Sequence, residues 1–201
     1  YFESYKLDEI IDLLEGLNEQ MEPVYFNEED DIAYNTVLEE AVLDPETISA
    51  NSPKIIFTPI HGTGSIATVP ALWNIGANVK ILEKQNNFDP NFTTVASPNP
   101  ENKEAFEMGI SFARRNNFEA IYATDPDCDR LGVSIKHEGD FVCLTGNQIA
   151  SMLAKYRLET LKRFQFLKPE TASKFTVLKT FVTTGLVEKI TRSYGACCVN
   201  T

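Results

Sequence analysis

Ala120-Ile-Tyr-Ala-Thr-Asp-Pro-Asp-Cys-Asp-Arg-Leu-Gly132 joins an apolar run to three carboxylates at alternate positions, Asp125, Asp127 and Asp129, and then to the start of a second apolar run. The flanking runs read as β-strands, rich in residues that suit a pleated, buried surface. In an extended chain alternate side chains share a side, so this spacing predicts that the three carboxylates meet at one point. Pro126 fixes its own φ and biases Asp125 toward extended backbone, which stiffens the turn. Carboxylates gathered at the end of a buried strand repel one another unless a cation neutralises them. An all-oxygen donor set favours a hard ion such as Mg²⁺.

Three readings compete for this stretch. An EF-hand-like calcium loop shares carboxylates at positions 1, 3 and 5 but needs Gly at position 6 and Glu at position 12. Those positions hold Arg130 and Lys136. An acidic turn capped by Arg130 through surface ion pairs is the structural alternative, and it leaves three charges at a strand end without a counterion. A Mg²⁺ site for phosphoryl transfer suits the location, because ligands of open α/β sheets sit beyond the carboxyl ends of strands. Arg130 would then face the same phosphate as the metal.

Working outward, residues 131–136 and 141–144 form two strands around Glu138-Gly-Asp, which predicts a hairpin. A helix is expected over 101–116, with Ala105, Phe106, Met108, Ile110, Phe112 and Ala113 among its apolar residues. Residues 53–82 read as a βαβ unit: a strand over 54–58, a turn at Pro59-Ile-His-Gly-Thr-Gly64, a helix over 65–75 with Ser65 near its cap, and a strand over 77–82. Pro70 must either lie in the first turn or kink that helix. Between the two blocks runs a long loop, residues 83–100, rich in Asn and Pro. Residues 6–17 predict an amphipathic helix, 18–30 an acidic irregular stretch, and 32–43 a second helix burying Ile32, Val37, Leu38 and Val42 and ended by Asp44-Pro45. From Thr145 the pattern restarts, with a helix over 149–163, a strand over 175–182, a helix over 184–194 and a strand over 196–200. The sequence therefore predicts an α/β chain: a complete domain to about residue 140, then the first half of a second unit.

The formal net charge is −11 over 201 residues, which argues against a nucleic-acid or anionic membrane surface. A small phosphorylated ligand needs only a local basic cluster. Cys128, Cys143, Cys197 and Cys198 form no CxxC pair, so a reducing, cytoplasmic setting is the simplest expectation and a Cys/His zinc site is not. No apolar run reaches the roughly 20 residues of a membrane span. The chain opens without Met and without a signal-peptide pattern, and it is expected to be a fragment or processed piece.

Four stretches, in order and with similar spacing, resemble the α-D-phosphohexomutases (phosphoglucomutase/phosphomannomutase), most closely their bacterial phosphoglucomutase branch. They are Thr58-Pro-Ile-His-Gly-Thr-Gly64, Ser97-Pro-Asn-Pro-Glu101, Ala123-Thr-Asp-Pro-Asp-Cys-Asp-Arg-Leu-Gly-Val133 and Leu144-Thr-Gly-Asn-Gln148. The resemblance implies mixed sheets flanked by helices in a repeated phosphoglucomutase-type domain. Residues 1–30 would be an N-terminal helix and acidic linker, 31–140 the family's second domain, and 141–201 an incomplete start of its third. It implies Mg²⁺ on Asp125, Asp127 and Asp129, with Arg130 after them as a catalytic, phosphate-binding basic residue. Cys128 stands where Ala or Gly is common and is expected to be tolerated. The implied substrates are hexose phosphate and hexose 1,6-bisphosphate, exchanged through a phosphoserine on a domain not in this chain, so the 201 residues alone are expected to be inactive. A Mg²⁺-dependent phosphatase and a non-catalytic metal- or sugar-phosphate-binding module are the alternatives.

Secondary candidates have plainer readings beside them. His61, in the turn after the first strand, is a candidate phosphate ligand, because His61-Gly-Thr-Gly64 sits between a strand and a helix and its amides could cradle an anion; a tight turn with no ligand explains the glycines equally well. Thr183-Thr184-Gly185 repeats that geometry, and Lys84 lies near a strand end.

Overall fold

The computed structural model describes residues 27–201, apart from the side chain of Glu28. The helix expected over 6–17 and most of the acidic stretch 18–30 lie outside them. Two compact units divide the chain, Tyr1–Tyr34 and Asn35–Thr201, and the described strands all belong to the second. Helix α1 (Glu28–Ala41) begins earlier than expected and takes in the end of the acidic stretch. Ile32 and Val37 stay exposed, contrary to the expected buried stripe, while Leu38 and Val42 are half-buried.

A second helix, α2 (Pro45–Asn51), departs from the expected pattern: Asp44-Pro45 does end α1, but it also starts this one. The Asp44 carboxylate accepts from Thr47 N at 3.3 Å and from Thr47 Oγ1 at 2.9 Å, and Pro45 fills a position where its missing N–H costs nothing. None of the seven residues is fully buried, so hydrophobic periodicity gives no warning of it.

The main sheet has five strands in the order β2-β1-β3-β4-β5. β1 (Lys54–Thr58) pairs in parallel with β2 (Asn78–Ile81) and β3 (Ala120–Thr124); β4 (Leu131–His137) and β5 (Asp140–Leu144) add antiparallel. β1 lies between β2 and β3 and is buried on both faces, which is why Ile55-Ile-Phe57 reads as an unbroken apolar run. Ile55 and Phe57 pack with Val69 and Val79 under α3 (Ser65–Asn74). Ile56 faces the other way, with Ile121, Phe106 and Ala113, beneath α4 (Glu107–Asn116). Each such large side chain contributes about 1.5–3 kcal/mol by leaving water.

The βαβ unit and the hairpin stand where the sequence places them. Glu138 (φ 49°) and Gly139 (φ 91°) form the two-residue hairpin loop, both in the left-handed region that such a loop requires. Two details of the expected helices differ. The α3 cap position is Gly64, without a side-chain bond, and Pro70 lies inside the helix rather than in its first turn. The helix expected over 101–116 is a 3₁₀ turn, Lys103–Phe106, followed by α4. β5 crosses residue 140, so the first sheet extends to Leu144.

After β5, α5 (Gly146–Arg163) begins at a capping box: Thr145 Oγ1 accepts from Gln148 N at 3.3 Å and Gln148 Oε1 accepts from Thr145 N at 2.8 Å. β6 (Thr176–Lys179) and β7 (Cys197–Asn200) pair in parallel around α6 (Gly185–Ser193). The β6 strand is shorter than expected, because Thr180–Thr183 turns back on itself through the bond from Thr183 N to Thr180 O, 3.1 Å. α5 is tied to the segment before β1: Arg163 pairs with the Asp44 carboxylate, and Arg157 Nη1 donates to Ala41 O at 2.8 Å. Among the described residues, no helix is long and apolar enough to cross a membrane.

Candidate metal centre

β1 and β3 run parallel with Thr58 opposite Ala123, so the loops that follow them emerge side by side at one sheet edge. The loop after β3 carries Asp125, Asp127 and Asp129. One carboxylate oxygen from each lies within 4.8 Å of the others, a spacing that fits a single cation. Asp125 is buried, whereas Asp127 and Asp129 are exposed. The expected convergence is present, but an extended backbone does not produce it. Cys128 N donates to Asp125 O at 3.0 Å, and Cys128 adopts φ 63°. The chain therefore doubles back in a turn with a left-handed residue in it, a conformation that glycine accepts at less cost than cysteine.

Arg130 N donates to Asp125 Oδ1 at 2.9 Å. Its guanidinium Nε lies 3.6 Å from Asp125 Oδ2 and 3.7 Å from Asp129 Oδ1, with the side chain more than half exposed. Burial pushes the Asp125 carboxyl up, but the Arg130 N–H, the contact with Asp129 and the nearby guanidinium together hold it below the usual range. Asp129 is raised, first by the hydrogen bond it shares with Asp125 and then by that carboxylate's charge. Opposite shifts are what two carboxyls sharing one hydrogen bond give. The three convergent carboxylate oxygens form a donor set that fits a hard divalent ion.

The turn after β1, residues 60–64, buttresses this loop. A Cβ on Gly62 would fall 2.2 Å from Pro126 Cα, and one on Gly64 would fall 2.4 Å from Thr124 Oγ1 and 3.1 Å from Cys128 Sγ. Thr63 N donates to Pro126 O at 3.0 Å. The glycines are there for close approach of two backbones. Ile60 (φ 44°) and His61 (φ 65°) are consecutive left-handed residues, a conformation that costs about 1–3 kcal/mol each in non-glycine residues.

His61 is buried and both its ring nitrogens are engaged, Nδ1 with Asn87 O at 2.8 Å and Nε2 with Thr94 Oγ1 at 2.6 Å. Two of the turn amides expected to cradle an anion are also used within the fold, His61 N donating to Gln85 O at 2.7 Å and Thr63 N to Pro126 O. The Ser97–Glu101 stretch packs against the start of β4, where a Cβ on Gly132 would fall 2.2 Å from Pro100 O. Thr184 caps α6, accepting from Leu186 N at 3.2 Å, and its own N–H donates to Asn147 Oδ1 at 2.9 Å. Lys84 is exposed. Sequence reasoning passes over Gln85, although it is fully buried and is bonded to both Thr58 and Thr94. A lone glutamine in an Asn-rich loop carries no sequence signal of that kind.

The family model described as phosphoglucomutase/phosphomannomutase, alpha/beta/alpha domain II, matches residues 33–139, more than half of the chain. The chain belongs to the α-D-phosphohexomutase family. A phosphomannomutase of Mycoplasmoides pirum is 29% identical over 187 residues, covering 92% of this chain and 33% of the relative. A phosphoglucomutase of Staphylococcus aureus (strain USA300) is 37% identical over 109 residues, covering 53% of this chain and 20% of the relative. The crystal structure of a putative phosphomannomutase from Thermus thermophilus superposes with a TM-score of 0.67 at 20% identity, covering 90% of this chain and 38% of that one. The chain thus spans about a third or less of the length of these curated relatives.

Proposed function

We propose that this chain forms the metal-bearing part of a hexose-phosphate mutase that interconverts sugar 1- and 6-phosphates. The observation that carries the reading is the cluster of three carboxylate oxygens within 4.8 Å of one another, at the carboxyl edge of a phosphohexomutase domain. Asp125, Asp127 and Asp129 would hold Mg²⁺, which when bound supplies positive charge to phosphate oxygens. Asp125 anchors the set, because it is buried and its Oδ1 is fixed by the Arg130 N–H. Asp127 and Asp129 project toward solvent, the side from which a phosphate would arrive. Arg130, half-exposed beside them, would swing from Asp125 and Asp129 to turn two N–H donors onto that phosphate and orient it.

The phosphate donor would be a phosphoserine on a domain outside this chain, with hexose 1,6-bisphosphate as the species that turns over between two transfers. The remaining domains of the longer enzyme are then its partners, and neither nucleic acid nor membrane takes part. The four cysteines are free, in keeping with the reducing cytoplasm expected from their spacing.

Relatives named for mannose and for glucose phosphates define the assay. The intact protein should isomerise mannose 1-phosphate or glucose 1-phosphate in a Mg²⁺-dependent way. Asp127→Ala should lose that turnover and weaken Mn²⁺ binding by about 100-fold or more, since even outer groups around a metal cost about 10–100-fold. Full activity and full metal affinity in that variant would sink the reading, and phosphate release without isomerisation would make the protein a phosphatase.

A further inference from the structure

Beneath the acidic loop lies a closed polar network. Thr58 Oγ1 donates to Gln85 Oε1 at 2.7 Å and accepts from Ile60 N at 3.2 Å. Gln85 Nε2 donates to Thr94 Oγ1 at 3.2 Å. Asn87 O can only accept, so His61 Nδ1 carries a hydrogen, and Thr94 Oγ1, which accepts from Gln85 Nε2, faces His61 Nε2 at 2.6 Å. Gln85 O accepts from His61 N at 2.7 Å. The side chains satisfy one another, with Thr58 and Gln85 fully buried and His61 nearly so. Such a network rigidifies its surroundings and offers nothing to a ligand.

What it rigidifies is the left-handed pair Ile60-His61. Immediately beyond them, Gly62 packs on Pro126, and Thr63 holds Pro126 O through its N–H at 3.0 Å and its hydroxyl at 3.3 Å. Pro126 sits between the first two carboxylates. We propose that His61 and Thr94 are positioning residues for the metal: through the turn at 60–64 they fix Pro126, and so the spacing of Asp125 and Asp127. Neither is among the three carboxylates that would hold the ion. The inference rests on the metal reading of the acidic loop.

The test is Mn²⁺ titration of the intact protein, followed by the free-ion EPR signal. Thr94→Val keeps the shape but removes the hydroxyl, and should weaken Mn²⁺ binding about tenfold, the lower end of what outer groups around a metal contribute. Thr94→Ser, which restores the hydroxyl, should return to the parental affinity. Thr63→Val alters an exposed side chain with little risk to folding, and should weaken binding several-fold. Val79→Ala, on the opposite face of the sheet, should lower the melting temperature while leaving Mn²⁺ affinity alone; this separates positioning from general destabilisation. Parental affinity in both Thr94→Val and Thr63→Val overturns the inference and leaves the metal reading standing. Failure of Thr94→Ser to rescue, or an equal loss in Val79→Ala, also overturns it. No Mn²⁺ binding by the parent overturns both.

Discussion

Gly64 shows how tightly the acidic loop is set. Its missing side chain leaves room for Thr124 Oγ1, Cys128 Sγ and the Phe57 ring. Gly64→Ala should cost about 1–3 kcal/mol, the usual range for overpacking a filled interior, read as a shift in the denaturation midpoint. Thr124 Oγ1 is buried without a hydrogen-bond partner, so Thr124→Ala gives up little at that atom. In the double variant the 2.4 Å clash is gone, and part of the loss should return. Additive losses would show that the tight fit lies elsewhere. Arg130 belongs to the same scale. Stationed over Asp125 and Asp129, it lends the carboxylates a counter-charge, and this is why a residue expected to face a phosphate lies folded over its neighbours. Cys128 directs its side chain toward Gly64, and its left-handed backbone explains why glycine would suit the position.

At the scale of elements, capping carries a measurable load. α5 starts at a reciprocal box between Thr145 and Gln148, and Thr145→Ala should cost about 1 kcal/mol in chemical denaturation; an unchanged midpoint would mean that tertiary packing alone holds the helix end. The strands are legible in the sequence because their signal is local: Ile55-Ile-Phe57 and Ile121 lie in apolar runs bounded by turn residues. The three aspartates are equally plain, since charge at strand spacing stands out. What sequence does not disclose are relations across distance. His61 finds its partners 26 and 33 residues away, in a loop whose composition says only that it is a loop. α2 escapes notice because its start reads as the end of its predecessor, and its exposed residues lack a period. Pro70 shows the limit of local rules, since a helix packed on a sheet tolerates an interior proline that an isolated one would not.

Over the molecule as a whole, Asp44 is the joint. It caps α2 and pairs with Arg163 at the far end of α5, so the segment leading into the first sheet is held by the helix that opens the second α/β unit. The hydrogen bond with Arg163, followed by that with Thr47, holds the Asp44 carboxyl below its usual range. A carboxyl depressed in the folded state contributes stability that is fully present above its unfolded pKa, about 4, and is lost as pH falls through the lower folded value. Asp44→Asn should therefore melt at a lower temperature than the parent at pH 7, and the gap should narrow below about pH 4. A gap that stays constant with pH would assign the effect to packing. With α5 following β5 at one end and paired with Asp44 at the other, the helix closes a ring from the first sheet back to the segment that leads into it.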